Sequence, residues 1–170
     1  MKKLNARGMK VLKIVHILSA FLWVVGALSM FIILISAHPQ TGDELFMRTR
    51  ILQIIDDYVI ITGANGAFLT GLVYGIWTNW GFFKHRWITF KWILTVLQML
   101  FGTFMLGPRL NANVEMAATL RDAAFANPTF MANSDFSFYG GAVQTLLLVV
   151  MVAVSVLKPW KRKNSPARVG

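Results

Sequence analysis

Residues 11–37 read VLKIVHILSAFLWVVGALSMFIILISA, with one lysine and one histidine near the start and no other charged or titratable side chain. About 20 residues of this kind, wound as an α-helix, cross the ~30 Å hydrocarbon layer of a bilayer. Three further stretches share that character: Ile51 to Trp77, Trp87 to Gly107 and Phe138 to Leu157. The expected fold is therefore all-α and membrane-integral, a four-transmembrane-helix bundle forming one domain over residues 1–170. The basic start followed by an apolar run ending at Ser36-Ala37 imitates a secretory signal. Its apolar run is much longer than the 7–15 residues of a signal core, so it is read as a retained first helix.

Charge placement gives the orientation. All lysines and arginines except Arg48, Arg50, Arg109 and Arg121 fall in the N-terminal segment through Lys13, in the segment from Lys84 to Lys91, or in the tail from Lys158 to Arg168. If the spans alternate, those three segments share one side. The other side receives the four remaining arginines and every acid: Asp43, Glu44, Asp56, Asp57, Glu115, Asp122 and Asp135. The positive-inside rule then places both termini in the cytoplasm, which requires an even number of spans. The expected location is the bacterial cytoplasmic (inner) membrane, multi-pass, N-in and C-in. The basic tails also suit contact with anionic lipid headgroups. The net charge of +10 is accounted for by these flanks, so no nucleic-acid partner is expected.

Hydrophobic residues make up 56% and charged residues 14% of the chain, against roughly 45–50% and about 25% in soluble domains. Such a surplus of apolar surface suits a lipid-facing exterior. With no cysteine, disulfides, thiolate metal sites and cysteine nucleophiles are excluded. No Ser-His-Asp set at a common depth and no HExxH pattern is present, which leaves a redox role as the enzymatic option.

Between the spans, His38-Pro39 and Thr41-Gly42 mark a short outer connection. Trp77, Trp80, Trp87, Trp92 and Trp160 are expected to form a cytoplasmic aromatic belt. The outer loop 108–137 is part-helical by composition, from Asn113 to Phe125, with Asn127-Pro128 as a stop. Asp56 and Asp57, at the outer end of the second span, are expected to pair with Arg48, Arg50 or Arg109.

Each span carries one polar or small-residue stripe. In the first, His16, Ser19, Trp23 and Gly26 recur at helical spacing. In the second, Asn65, Gly66 and Thr70 lie beside a strip of Gly63, Ala67, Gly71 and Gly75. Lys91, Thr95, Gln98 and Gly102 follow in the third, and Gly141, Gln144, Thr145 and Ser155 in the fourth. Such stripes serve helix packing and interhelical hydrogen bonds. Depth adds a second meaning. His16 lies ~7.5 Å into its span and Lys91 ~6 Å into the third, at 1.5 Å per residue, and Tyr74 falls at a similar level. His85 and Arg86 sit just below, at the interface. A neutral histidine ligates haem iron, and b-type haem needs no covalent attachment. His16 as axial ligand with Lys91, Arg86 or Lys13 near the propionates meets those needs. A lone buried histidine beside a snorkelling Lys91 meets the same pattern without a cofactor, and the residues leave both readings open.

The segment His16-Ile17-Leu18-Ser19-Ala20-Phe21-Leu22-Trp23-Val24-Val25-Gly26 resembles the first helix of CopD-like and related small bacterial membrane proteins. The run His85-Arg86-Trp87-Ile88-Thr89-Phe90-Lys91-Trp92 resembles a motif of small four-helix proteins described as predicted membrane proteins, some relatives of which are regarded as haem-sensing or haem-binding. The resemblance implies a haem-binding role, haem b, with His16 as the metal ligand carried over. A second ligand does not carry over, since His38 is across the membrane and His85, the other metal-ligand candidate, sits at the interface. Lys91, Arg86, Tyr74 and Trp23 complete the implied site. It also admits a redox partner or a homo-oligomer. Two other function classes compete: small-solute transport through a polar path past Lys91 and Asn65, and an accessory subunit without cofactor. No inverted repeat or pair of broken helices supports transport.

Overall fold

A computed structural model describes residues 3–79 and 81–159 of the chain. Trp80, Trp160 and the tail cations Lys161, Arg162, Lys163 and Arg168 lie outside the described residues, as does Lys2. Four helices are long and apolar enough to cross a membrane: α1, Ala6–Ser36; α2, Gly42–Trp77; α3, Arg86–Ala126; and α4, Pro128–Leu157. They form one up-and-down bundle. The amide of Leu4 donates to the carbonyl of Trp77 at 3.1 Å, and the Lys158 ammonium lies 5.7 Å from the Trp87 ring centre. The start of α1, the end of α4 and the α2–α3 turn therefore meet at one end of the bundle, the terminal face.

Local chemistry sets the helix ends. Asn5, Thr41 and Asn127 cap α1, α2 and α4 by accepting from the amides of Gly8, Glu44 and Phe130, which satisfies donors that have no intrahelical partner. Asp43 and Glu44 in the first turn of α2 complement the helix dipole, and Pro128 stands where its missing amide is harmless. Lys158, left-handed at φ 46°, ends α4 ahead of Pro159.

The helices run past the apolar stretches on the distal side, and this is the main departure from the sequence-based boundaries. α2 begins at Gly42 instead of near Ile51, and α4 begins at Pro128 instead of near Phe138. Residues 108–137 are largely helical, because Gly107–Leu120 continues the third span instead of lying apart as a separate surface helix. Apolarity marks where lipid begins, while capping marks where the helix begins. The extensions pack on one another through Leu45, Ala117, Ala124 and Phe130, making a helical head beyond the membrane. At Gly42 a Cβ would overlap the backbone of Arg121 and Asp122. The Gly42 amide instead donates to the Asp122 carboxylate, and Arg121 pairs with Asp43 at 3.2 Å.

The arginines expected beside Asp56 and Asp57 are engaged elsewhere. Arg48 donates to the Ala37 carbonyl at 3.1 Å, and Arg50 to Gln53. Arg109 donates to the Met105 carbonyl at 2.7 Å while lying 4.1 Å from the Phe136 ring centre. Each finds a neighbour along its own helix or just beyond it, so the expected pair with Asp57 does not form.

Within the spans, α1 and the second half of α2 make the closest contact. A Cβ on Gly63 would stand 2.5 Å from the Trp23 amide nitrogen and 2.9 Å from the Ser19 carbonyl oxygen, and one on Gly66 would stand 2.5 Å from the Ser19 hydroxyl. Two backbones touch here because two side chains are missing, the small-residue packing of membrane helices. The segment Arg86–Phe101 packs mainly on α4, and loosely, and stands off from α1 and α2. Aromatic rings bridge part of that gap: Trp92 lies 5.4 Å from Phe68 and 5.0 Å from Phe82, both edge-on. Trp92 therefore turns inward and does not join the interfacial belt. Trp23, Ala64, Ala67, Leu148 and Met151 fill the bundle centre. Outside, large apolar side chains such as Phe21 (62% exposed) and Leu146 (63%) make a continuous surface far larger than a water-soluble monomer shows.

Gly63→Ala should lower the melting temperature in detergent, since overpacking against fixed backbone costs about 1–3 kcal/mol. Gly141→Ala, whose Cβ meets nothing within 4 Å, should leave it unchanged. Equal effects at the two positions would deny the α1–α2 contact its special status.

Candidate cofactor cavity

Because α3 stands off, a cavity of about 560 Å³ opens toward the terminal face between α1, α2 and α3, closed from the side by the end of α4. His16 enters it from α1, Tyr74 from α2 and Lys91 from α3, so three residues that helical depth placed at one level do share one chamber. Lys10 and Lys13, two turns and one turn before His16, line it as well, and Lys158 lies at its rim. Among the described residues four lysines thus border the chamber, and no acidic residue does. Lys91 donates to the Ser155 hydroxyl at 2.6 Å, which fixes its ammonium on the α4 side.

The histidine is oriented by α2. Its Nδ1 lies 2.7 Å from the Thr70 hydroxyl oxygen, and that oxygen lies 2.6 Å from the Gly66 carbonyl oxygen. Two oxygens so close need a proton between them, and the carbonyl has none, so Thr70 donates to Gly66. The hydroxyl then accepts from Nδ1–H of His16. The imidazole is thereby held as the tautomer whose Nε2 keeps a lone pair, as a hydrogen bond on one ring nitrogen dictates for the other. Tyr74, one turn beyond Thr70, meets the imidazole edge-on at 5.5 Å. Gly71 and Gly75 permit the aromatic wall opposite: a Cβ on Gly71 would come within 3.3 Å of Trp92, and one on Gly75 would collide with the Phe82 ring.

Three other expected site residues lie elsewhere. Trp23 is buried in the bundle centre, at 6% exposure, and borders a second cavity on the distal side. Seven residues separate it from His16, ~10.5 Å along the helix. His85 is the N-cap residue of α3 with its ring stacked 6.3 Å from that of Trp87. Arg86 is exposed at the first position of that helix. Neither lines the chamber. Thr70, which orients His16, passed as a packing residue in the sequence, although its spacing of one turn from both Gly66 and Tyr74 was visible there.

Among the described residues no group of three or more His, Cys, Asp or Glu could hold a bare metal ion. An iron atom here would need to bring most of its ligands with it, as a porphyrin does. One histidine and several lysines around a chamber between the helices fit that requirement.

Residues 10–159 match the family model described as predicted integral membrane protein (DUF2269). The chain belongs to this family. The match covers nearly all of the four spans and every residue of the chamber except Met9. No curated protein and no solved structure gives a match. The description of DUF2269 agrees with the four apolar helices and concerns membrane integration alone.

Thr70→Val removes the oxygen that receives Nδ1–H, a loss of about 1 kcal/mol in tautomer preference. Histidine ¹⁵N spectra should show His16 as the Nδ1–H form in the wild type and a mixture in the variant. Identical spectra would mean that Thr70 does not set the tautomer.

Proposed function

We propose that this chain is an integral-membrane b-type haem protein of the bacterial inner membrane, with both termini cytoplasmic and His16 Nε2 as the iron ligand. The observation that carries this reading is the orientation of His16, whose Nδ1 is tied to Thr70 while its ring borders a chamber ringed by lysines and free of acids. Haem b is an apolar disc with two anionic propionates. The disc suits the aromatic wall of Trp92 and Trp87, and the propionates suit Lys91 and Lys13. Neither His38 nor His85 lines the chamber, so His16 is the histidine that would hold the iron there. Bound haem would supply redox and small-ligand chemistry; the chain's own residues hold it, orient it and exclude lipid. That arrangement serves haem sensing or sequestration, oxidative-stress protection, or electron transfer.

Protein purified from haem-replete cells should show a Soret band assigned to haem b by the pyridine adduct, with a five-coordinate spectrum that shifts on adding cyanide. His16→Ala should abolish or shift it. Lys91→Met should weaken retention roughly tenfold, equivalent to about 1.4 kcal/mol, without changing the iron's coordination. Wild-type protein that carries no haem and takes up none when supplied would end this reading.

The orientation rests on the basic bias of the terminal face. Reporters active outside the cytoplasm should function when inserted at Asn127 and fail when fused after Gly170. The reverse pattern would invert the topology and put the haem chamber on the outer side.

A further inference from the structure

A second cavity, about 640 Å³ in volume, opens in the distal half of the bundle among all four helices. Its chemistry is the reverse of the first. Asp56 and Asp57 border it, and no lysine, arginine or histidine does. The arginines available to neutralise those acids are committed elsewhere, as described above.

Two observations independent of the acids point to a ligand. Gln98 reaches this cavity at 3% exposure. Its Nε2 lies 3.9 Å from the Met151 sulfur, its backbone carbonyl accepts from Gln144 at 2.8 Å, and its side-chain oxygen Oε1 has no hydrogen-bond partner. A buried amide oxygen without a donor costs about 1–3 kcal/mol, and such a group in a folded protein calls for a partner. The Ser137 hydroxyl, also bordering the cavity, is likewise buried without one. The second observation is the backbone. Two of the four helices that frame the cavity contain one π-helical turn there, Asp56–Ile60 in α2 and Gly102–Leu106 in α3. Such turns interrupt the regular ladder and occur often at functional sites. Asp56 and Asp57 come from the first of them, and Gly102, Thr103 and Leu106 from the second.

We infer that the distal cavity binds an organic ammonium ion with an apolar body. Its N–H groups would donate to Asp56 and to Gln98 Oε1, and Trp23 and Phe31 would cover the apolar part, with the ring faces attracting the charge. A neutral donor such as a quinol would satisfy Gln98 but leave the two carboxylates uncompensated. The inference does not depend on haem, because the two cavities share no lining residue.

Dansylcadaverine, a primary ammonium on a fluorescent apolar body, is the probe, with uncharged dansylamide as its control, both titrated into the purified full-length protein in a non-ionic detergent. Saturable binding of dansylcadaverine is expected, with dansylamide at least tenfold weaker. Asp56→Asn and Gln98→Leu should each weaken the probe about tenfold, whereas Lys91→Met, in the other cavity, should not change it. If Asp56→Asn or Gln98→Leu lowers the melting temperature, Asp57→Asn at the exposed rim is read instead and should weaken binding several-fold. Equal affinity for the charged and neutral probes, no saturable binding, or acid variants that bind as the wild type does would overturn the proposal.

Discussion

The contact of α1 with α2 at Gly63 and Gly66 is the constraint on which the rest of the bundle depends. Because α2 lacks side chains at those two positions, its backbone sits against Ser19 and Trp23 of α1. Everything one turn further toward the terminal face is then placed at close range. Thr70 follows Gly66 by four residues and His16 precedes Ser19 by three, so the two meet at 2.7 Å. Were the helices held apart by even an alanine pair, the imidazole would lose the hydroxyl that selects its tautomer. A packing contact therefore governs the chemical state of the one histidine that enters a cavity.

The third helix contributes by its distance. Its membrane half leans on α4 and leaves room against α1 and α2, and the room is divided into two compartments of opposite character. Lysines border the one near the terminal face; aspartates and neutral amides border the distal one. The π-helical turns fall only in the distal parts of α2 and α3. The terminal-face compartment is framed by regular helix and by the aromatic stack around Trp92.

Much of this was legible in the residues. The four apolar runs specify the spans, and 3.6-residue spacing combined with depth brings His16, Tyr74 and Lys91 to one level, where they meet. The distal head was less legible, because α2 and α4 continue as polar, capped helix beyond the lipid boundary and hydropathy does not register that. Trp92 illustrates a different limit. A tryptophan near a membrane interface has a default place in the headgroups, and only the glycines at positions 71 and 75 of another helix make an inward rotamer available. The partners of Arg48, Arg50 and Arg109 were invisible for a related reason, since each is settled by a nearby carbonyl, amide or ring instead of by charge. The π-helical turns left no sequence signal of their own.

The layer of Trp23, Ala64, Ala67, Leu148 and Met151 acquires a further meaning from its position between the two compartments. It is an apolar septum whose own residues face one compartment or the other, Ala67 the first and Trp23, Ala64 and Leu148 the second, and the two share no lining residue. Polar groups approach it from both sides: Thr95, which lines the terminal-face chamber, and Gln98, which lines the distal cavity, lie 3.8 Å and 3.9 Å from the Met151 sulfur. The bundle thus keeps its lysines and its aspartates in separate compartments, with a thioether where their polar linings come nearest.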